Sequence, residues 1–229
     1  MNRKLTEYTF RSDKIDQPLR FAVTPDLHSS PFDDVLEEFA RCDAVLLPGD
    51  LVDRHRKNNE NAERFLRIVP EIAPVFYSVG NHERKYRRAE EFFRLIRASG
   101  VTFLQNECVR FRGICIGGLS SAKESPDTGF LDRFEREEGY RLLLCHHPEI
   151  WRDYVNGRDI DLTLCGHAHG GQIQIRGRGL YAPGAGPVPE ADGRPLRGRE
   201  DAALPGNDQR REAQDPAHRQ SLRTDHPDP

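Results

Sequence analysis

A chain of 229 residues is long enough for one sizeable α/β core and short for two. Charged residues make up 31% and hydrophobic ones 36%, and no apolar run approaches the roughly 18 residues of a bilayer helix, so the sequence carries no membrane span. A net charge of -3 leaves no electrostatic footprint for polyanionic nucleic acid, and a small or locally presented partner is expected instead. The stretch from Met1 to Tyr8 starts basic but has no apolar segment behind it, which excludes a secretory signal. Five cysteines without a C-x-x-C pair read as small buried thiols in a reducing compartment. The expected location is cytoplasmic, or peripheral to a membrane.

Apolar runs and amphipathic stretches alternate along the chain as βαβ units do. In chain order, strands are predicted at 19–24, 44–47, 75–79, 109–119, 140–145, 161–165 and 172–175. Helical spacing of apolar residues predicts helices over 32–40, 62–69, 89–98 and 130–138, with Gly100 as a stop after the third. From Pro187 to Pro229 the chain has no Phe, Tyr, Trp or Ile and no periodicity. Such a segment buries too little apolar area to offset its ordering entropy, so the expected organisation is one catalytic domain over 1–186 and a disordered tail over 187–229.

Five segments place metal-ligand residue types just after apolar runs. The first is Asp26-Leu27-His28, whose outer residues point the same way in an extended chain. The second is Gly49-Asp50-Leu51-Val52-Asp53, where Asp50 is positioned to bridge two cations through its two oxygens, although an Asp at a loop start is as often a helix cap. The third is Gly80-Asn81-His82-Glu83, with a neutral oxygen ligand beside an imidazole; a plain turn is the alternative. The fourth is Cys145-His146-His147-Pro148, where spacing does not choose between the two histidines. The fifth is Gly166-His167-Ala168-His169-Gly170-Gly171, with paired histidines between glycines that permit close backbone approach. Ligands in open α/β sheets gather at the carboxyl ends of strands, where all five would meet. Oxygen donors mixed with imidazoles and free of thiolates suit Mn²⁺, Fe²⁺ or Zn²⁺ rather than a sulfur-bound structural zinc.

The ordered set D-x-H, G-D, G-N-H-E, H and G-H-x-H resembles the calcineurin-like metallophosphoesterase superfamily over about residues 19–184. Gly49 to Asp53, Leu143 to Glu149 and Gly166 to Ile173 look most like its YkuE/YaeI-type phosphodiesterase branch. The resemblance implies a four-layer α/β sandwich of two mixed sheets flanked by helices, here lacking its final C-terminal strands. It implies one metal on Asp26, His28, Asp50 and His169 and a second on Asp50, Asn81, His146 and His167. It selects His146 over His147, and gives His82, as an imidazolium near the leaving group, a catalytic role. Two divalent ions, with Mn²⁺ the first choice in vitro, would activate a bridging water for in-line attack on a phosphate ester. The substrate class is then a phosphorylated small molecule or a lipid-linked phosphate, with a phosphodiester foremost. A non-catalytic metal-binding scaffold and a decayed, truncated family member are the competing readings; the scaffold is disfavoured because every ligand position and the G-N-H histidine are present.

Overall fold

The computed structural model describes residues 5–120 and 126–167, with the backbone of 172–175 and 178–180. The described residues divide into a unit beginning at Ser12 and one holding residues 5–11. In the second, the described residues 5–11 form neither helix nor strand. All described elements belong to the first, and the expected boundary at residue 186 lies outside the described residues.

Two sheets form the centre. The first runs β1 (Phe21–Val23), β2 (Ala44–Leu47), β3 (Val75–Ser78) and β4 (Thr102–Leu104), in that spatial order. All its pairings are parallel, where a mixed sheet was expected. The second has the order β10 (Arg178–Leu180), β9 (Gln172–Ile175), β8 (Leu162–Cys165), β7 (Tyr140–Cys145), β6 (Ile114–Leu119) and β5 (Glu107–Phe111). It is mixed: β6, β7 and β8 are mutually parallel, and β5, β9 and β10 join antiparallel. Parallel neighbours need crossovers: α1 (Leu36–Ala40), α2 (Glu60–Ile72), α4 (Ala89–Ala98) and α5 (Thr128–Phe134) lie in four of them, and α6 (Pro148–Ile150) with the turn of helix Trp151–Val155 lies between β7 and β8, while the short α3 (Asn81–Lys85) sits at the end of β3.

The period of two along each strand divides the core into layers. Val45, Leu47, Val75 and Tyr77 point from the first sheet into a cluster with Phe39 of α1, Phe65, Leu66 and Val69 of α2, and Phe92 and Ile96 of α4. Cys115, Leu119, Leu143, Cys145 and Cys165 point from the second sheet toward Phe130, Leu131, Phe134 and Trp151. The intervening residues Leu46, Phe76, Ile116, Leu142 and Leu144 are buried as well, and belong to neither helix-side cluster. They fill the space between the sheets, which Ser78 crosses by donating its hydroxyl to the Leu119 carbonyl at 3.0 Å. The result is the expected four-layer α/β sandwich.

Several elements depart from the sequence expectation. The apolar run 109–119 is two strands, because Arg112 and Gly113 take φ of 45° and 87° and turn the chain back on itself. A two-residue turn with both central φ positive is the tight hairpin form, and a glycine adopts it without steric cost. Residues 102–104 form an edge strand too short for its alternation to show, and α3 begins directly at Asn81.

Asp161, immediately before β8, ties the entrance of that strand to its neighbour. Its carboxylate, 2% exposed, accepts from the Arg141 backbone at 2.9 Å and from Lys14 Nζ at 2.9 Å. Burial alone would raise its pKa, but the Arg141 amide and the Lys14 ammonium outweigh that and hold it below the ordinary carboxylate value. A carboxyl with a lowered folded-state pKa stabilises above its unfolded pKa and loses that contribution as pH falls through the folded value. We expect Asp161→Asn to lower unfolding free energy at pH 7 by about 1.5–3 kcal/mol. Urea titrations of parent and variant should converge once the pH drops below about 4 and passes the lower folded-state pKa.

A candidate metal centre at the strand ends

The carboxyl ends of β1, β2, β3, β7 and β8 bring the five motif segments together. Asp50 is central. It is 2% exposed, and its Oδ2 lies 3.2 Å from His146 Nε2 and 3.9 Å from His28 Nε2. Its Oδ1 is occupied by the His82 backbone N–H at 2.8 Å. Oδ2 therefore lies near the imidazoles of both groups of candidate ligands. Asn81 Oδ1 lies 3.0 Å from His146 Nε2 and 2.8 Å from His167 Nδ1, and Asp26 Oδ1 accepts the His167 backbone N–H at 2.8 Å. Asp26, His28, Asp50, Asn81, His82, His146 and His167 thus converge; His169 lies outside the described residues.

Hydrogen-bond chemistry tests whether these residues suit a cation. His146 Nδ1 is 2.9 Å from the Pro48 carbonyl, and His28 Nδ1 is 3.3 Å from the Val52 carbonyl. A carbonyl only accepts, so each Nδ1 carries the proton and, in a neutral ring, Nε2 is a lone pair. His146 Nε2 then faces two oxygen acceptors, an arrangement that is favourable only with a positive centre among them. Burial would depress the His146 pKa, yet the Asp50 carboxylate raises it to about 8, so a proton can hold the position. Asp26 Oδ2 is buried without a hydrogen-bond partner. Ring nitrogens fixed by backbone carbonyls, lone pairs converging and an orphaned carboxylate oxygen are what a transition-metal site requires, and the residues fit.

The local backbone is strained to achieve this. Asp26, His28, Asp50 and His167 have φ of 53°, 48°, 58° and 67°. Left-handed conformations cost a non-glycine residue about 1–3 kcal/mol each and cluster where function requires them. Gly80 permits the closest approach: a Cβ there would overlap Asp50 Oδ1.

Glu83 is the residue that sequence reasoning missed. Fully buried, it accepts the backbone N–H groups of Gly80 at 2.8 Å, Asp50 at 2.9 Å and Val52 at 3.0 Å. Its position, three residues after the glycine that caps α3, is the acidic half of a capping box. That was the available signal. Burial and the Asp50 charge raise its pKa. His147 also joins the group, buried with its ring 4.9 Å from His146 and 4.6 Å from His167. Burial first, then these two neighbours, push its pKa down to about 4, so it is a neutral imidazole.

His82 sits at the edge, its ring 4.4 Å from that of His28. Its Nδ1 accepts the Arg54 backbone N–H at 3.2 Å, so the ring proton resides on Nε2. Burial is the first cause of its lowered pKa, with His28 and Arg54 adding to it and Asp50 opposing. That tautomer leaves Nε2–H as the donor the ring can offer.

With this geometry in place, similarity to known proteins defines the class. Residues 19–171 match the family described as calcineurin-like phosphoesterase. The chain therefore belongs to the calcineurin-like phosphoesterase family, a class of hydrolases. An uncharacterized protein of Bacillus subtilis, YpbG, is 30% identical over 79% of this chain and 73% of its own length. An uncharacterized metallophosphoesterase of Helicobacter pylori is 29% identical over 74% of the chain, which spans 50% of that relative. Escherichia coli phosphodiesterase YaeI is 27% identical over 69% of this chain and 63% of its own length, in keeping with the YaeI-type branch. One crystal structure shares the fold with a TM-score of 0.51 at 12% identity, covering 73% of this chain and 91% of its own. Among the described residues, no helix is long and apolar enough to cross a membrane.

Replacing Glu83 tests how the centre is held. In Glu83→Gln an amide NH₂ would oppose N–H groups that now meet a carboxylate, leaving buried donors unsatisfied at about 1–3 kcal/mol each. We expect lowered stability in chemical denaturation, with metal affinity reduced about 10–100-fold in titration of the folded variant.

Proposed function

We propose that this protein is a binuclear-metal phosphodiesterase. One ion would be held by Asp26, His28, Asp50 and His169, the other by Asp50, Asn81, His146 and His167, with Asp50 common to both. The observation that carries the reading is the position of Asp50 Oδ2, 3.9 Å from His28 Nε2 and 3.2 Å from His146 Nε2. When bound, a pair of divalent ions supplies Lewis acidity that lowers the pKa of water from about 15.7 toward neutrality and offsets phosphoryl charge. Mn²⁺, Fe²⁺ and Zn²⁺ all suit the donor set of carboxylates, one amide and imidazoles.

The chain's own contributions follow from the site. The His146 and His28 rings are held against carbonyls, so their Nε2 lone pairs are directed before any ion arrives. The Asp50 carboxyl is kept ionised: burial opposes this, but His146 and the His82 N–H outweigh it and lower its pKa. His82 presents Nε2–H to an oxygen of the ester, and a donor there stabilises charge developing on the departing oxygen. Such a donor contributes about 10²–10⁴-fold. No protein nucleophile is required.

Two substitutions separate holding ions from using them. Asp50→Asn is expected to abolish both metal uptake, by elemental analysis, and hydrolysis of bis-p-nitrophenyl phosphate by Mn²⁺-loaded protein. His82→Ala should retain its ions and lose about 10²–10⁴-fold in turnover. Undiminished hydrolysis by His82→Ala would remove His82 from the reaction, and a well-folded parent that takes up no transition metal would remove the hydrolase mechanism.

A further inference from the structure

The proposed chemistry uses no thiol, yet the helix-bearing face of the second sheet gathers two of them around a carboxylate. In the β5–β6 hairpin Arg110 pairs with Cys115 and Cys108 with Gly117, so Cys108, Arg110 and Cys115 project from one face. That is the face on which α5 packs. Gly117 leaves room for the Phe134 ring, which a Cβ there would meet at 2.6 Å. Glu137 follows just after α5, its backbone N–H donating to the Phe134 carbonyl at 3.1 Å, and so comes down beside the two cysteines. The two Sγ atoms and a Glu137 carboxylate oxygen lie within 4.8 Å of one another. Cys115 is buried and Cys108 half-buried, while the Glu137 side chain is 38% exposed, so the cluster opens to solvent at the carboxylate.

The cluster is braced from outside. Arg110 donates through Nη2 to Glu137 Oε2 at 2.9 Å and through Nη1 to the Glu138 carbonyl, which holds the chain after α5 against the hairpin. The two thiols hydrogen-bond each other. Burial raises the pKa of both, that of Cys115 to about 12, so each carries its proton at neutral pH. Two thiolates and a carboxylate around a divalent cation would leave one negative charge in excess. Arg110, whose charge already acts on both cysteines, offsets it.

We infer that Cys108, Cys115 and Glu137 form a second metal site, taking a thiophilic divalent cation of the Zn²⁺ class with water as the fourth ligand. The inference does not depend on the phosphodiesterase reading. Zinc holds sulfur at about 2.3 Å, which sets tetrahedral sulfur ligands about 3.8 Å apart. From separations no greater than 4.8 Å the donors therefore draw in by about 1 Å at most. Each thiol gives up its proton to solvent as the ion binds. Bound there, the ion fastens the edge strand β5 and its partner β6 to the chain leaving α5. Mn²⁺ prefers oxygen donors and leaves this site empty, so Mn²⁺ uptake still reports on the strand-end centre alone.

The test titrates Cd²⁺, a spectroscopic substitute for Zn²⁺, into reduced protein in excess Mn²⁺ and follows the thiolate-to-metal charge-transfer band. The parent should bind one equivalent with that band. With Zn²⁺ in its place the parent should melt at a higher temperature, because a ligand that binds only the folded state stabilises it. Cys108→Ser and Cys115→Ser should lose the band and most of the thermal shift; if Cys115→Ser does not fold, the half-buried Cys108 decides the matter. Glu137→Gln should keep the band and bind at least about tenfold more weakly, as loss of even a supporting residue does. Cys42→Ser and Asp50→Asn should bind Cd²⁺ as the parent does, which separates this cluster from the other thiols and from the strand-end centre. A reduced parent without the band, or a band that survives in Cys108→Ser, overturns the site. Affinity unchanged in Glu137→Gln overturns the three-ligand site.

Discussion

Glu83 is the charge on which the centre is built. Its carboxylate lies wholly out of water and takes three backbone N–H groups from two different strand ends. A buried charge without such donors would be costly; with them it becomes a fixed point. The loop after β2 and the start of α3 are fastened to the same two oxygens, which sets the distance between Asp50 and Asn81. It also lets Asp50 keep its left-handed backbone, because the amide exposed by that turn finds an acceptor in Glu83.

Around this point, four of the candidate ligands are oriented by main-chain contacts. Pro48 and Val52 carbonyls set the imidazoles of His146 and His28, the His82 amide sets Asp50, and the Asp26 carboxylate receives the His167 amide. Side chains fixed this way surrender little further freedom on binding, which is how preorganisation raises affinity. The strained φ values are the local cost, and the surrounding sandwich sustains them.

How much of this was legible depended on whether a residue acts through its own pattern or through another's backbone. The strands 44–47, 140–145 and 172–175 and the helix 89–98 were readable because long apolar runs or a strong stripe left little choice. The hairpin at Arg112-Gly113 was hidden because apolar residues continue on both sides of a two-residue turn. Residue types at strand ends disclosed Asp26, His28, Asp50, Asn81, His82, His146 and His167, since metal chemistry uses few donors. Glu83 escaped because holding amides needs only an acceptor at the right depth, and depth is a property of the fold. His55 is solvent-exposed, and its nearness to His82 arises from a loop that Asn59 and Ser29 pin back.

Asp26, Asp50 and Asn81 follow strands of the first sheet, whereas His146 and His167 follow strands of the second. Any ion held by both sets would rivet one layer of the sandwich to the other. Sliding of the layers, even by a fraction of an ångström, would register first as weakened ion affinity and only later as unfolding. Side chains with no view of the site, such as Phe76 and Leu144 in the seam between the layers, therefore share control of it.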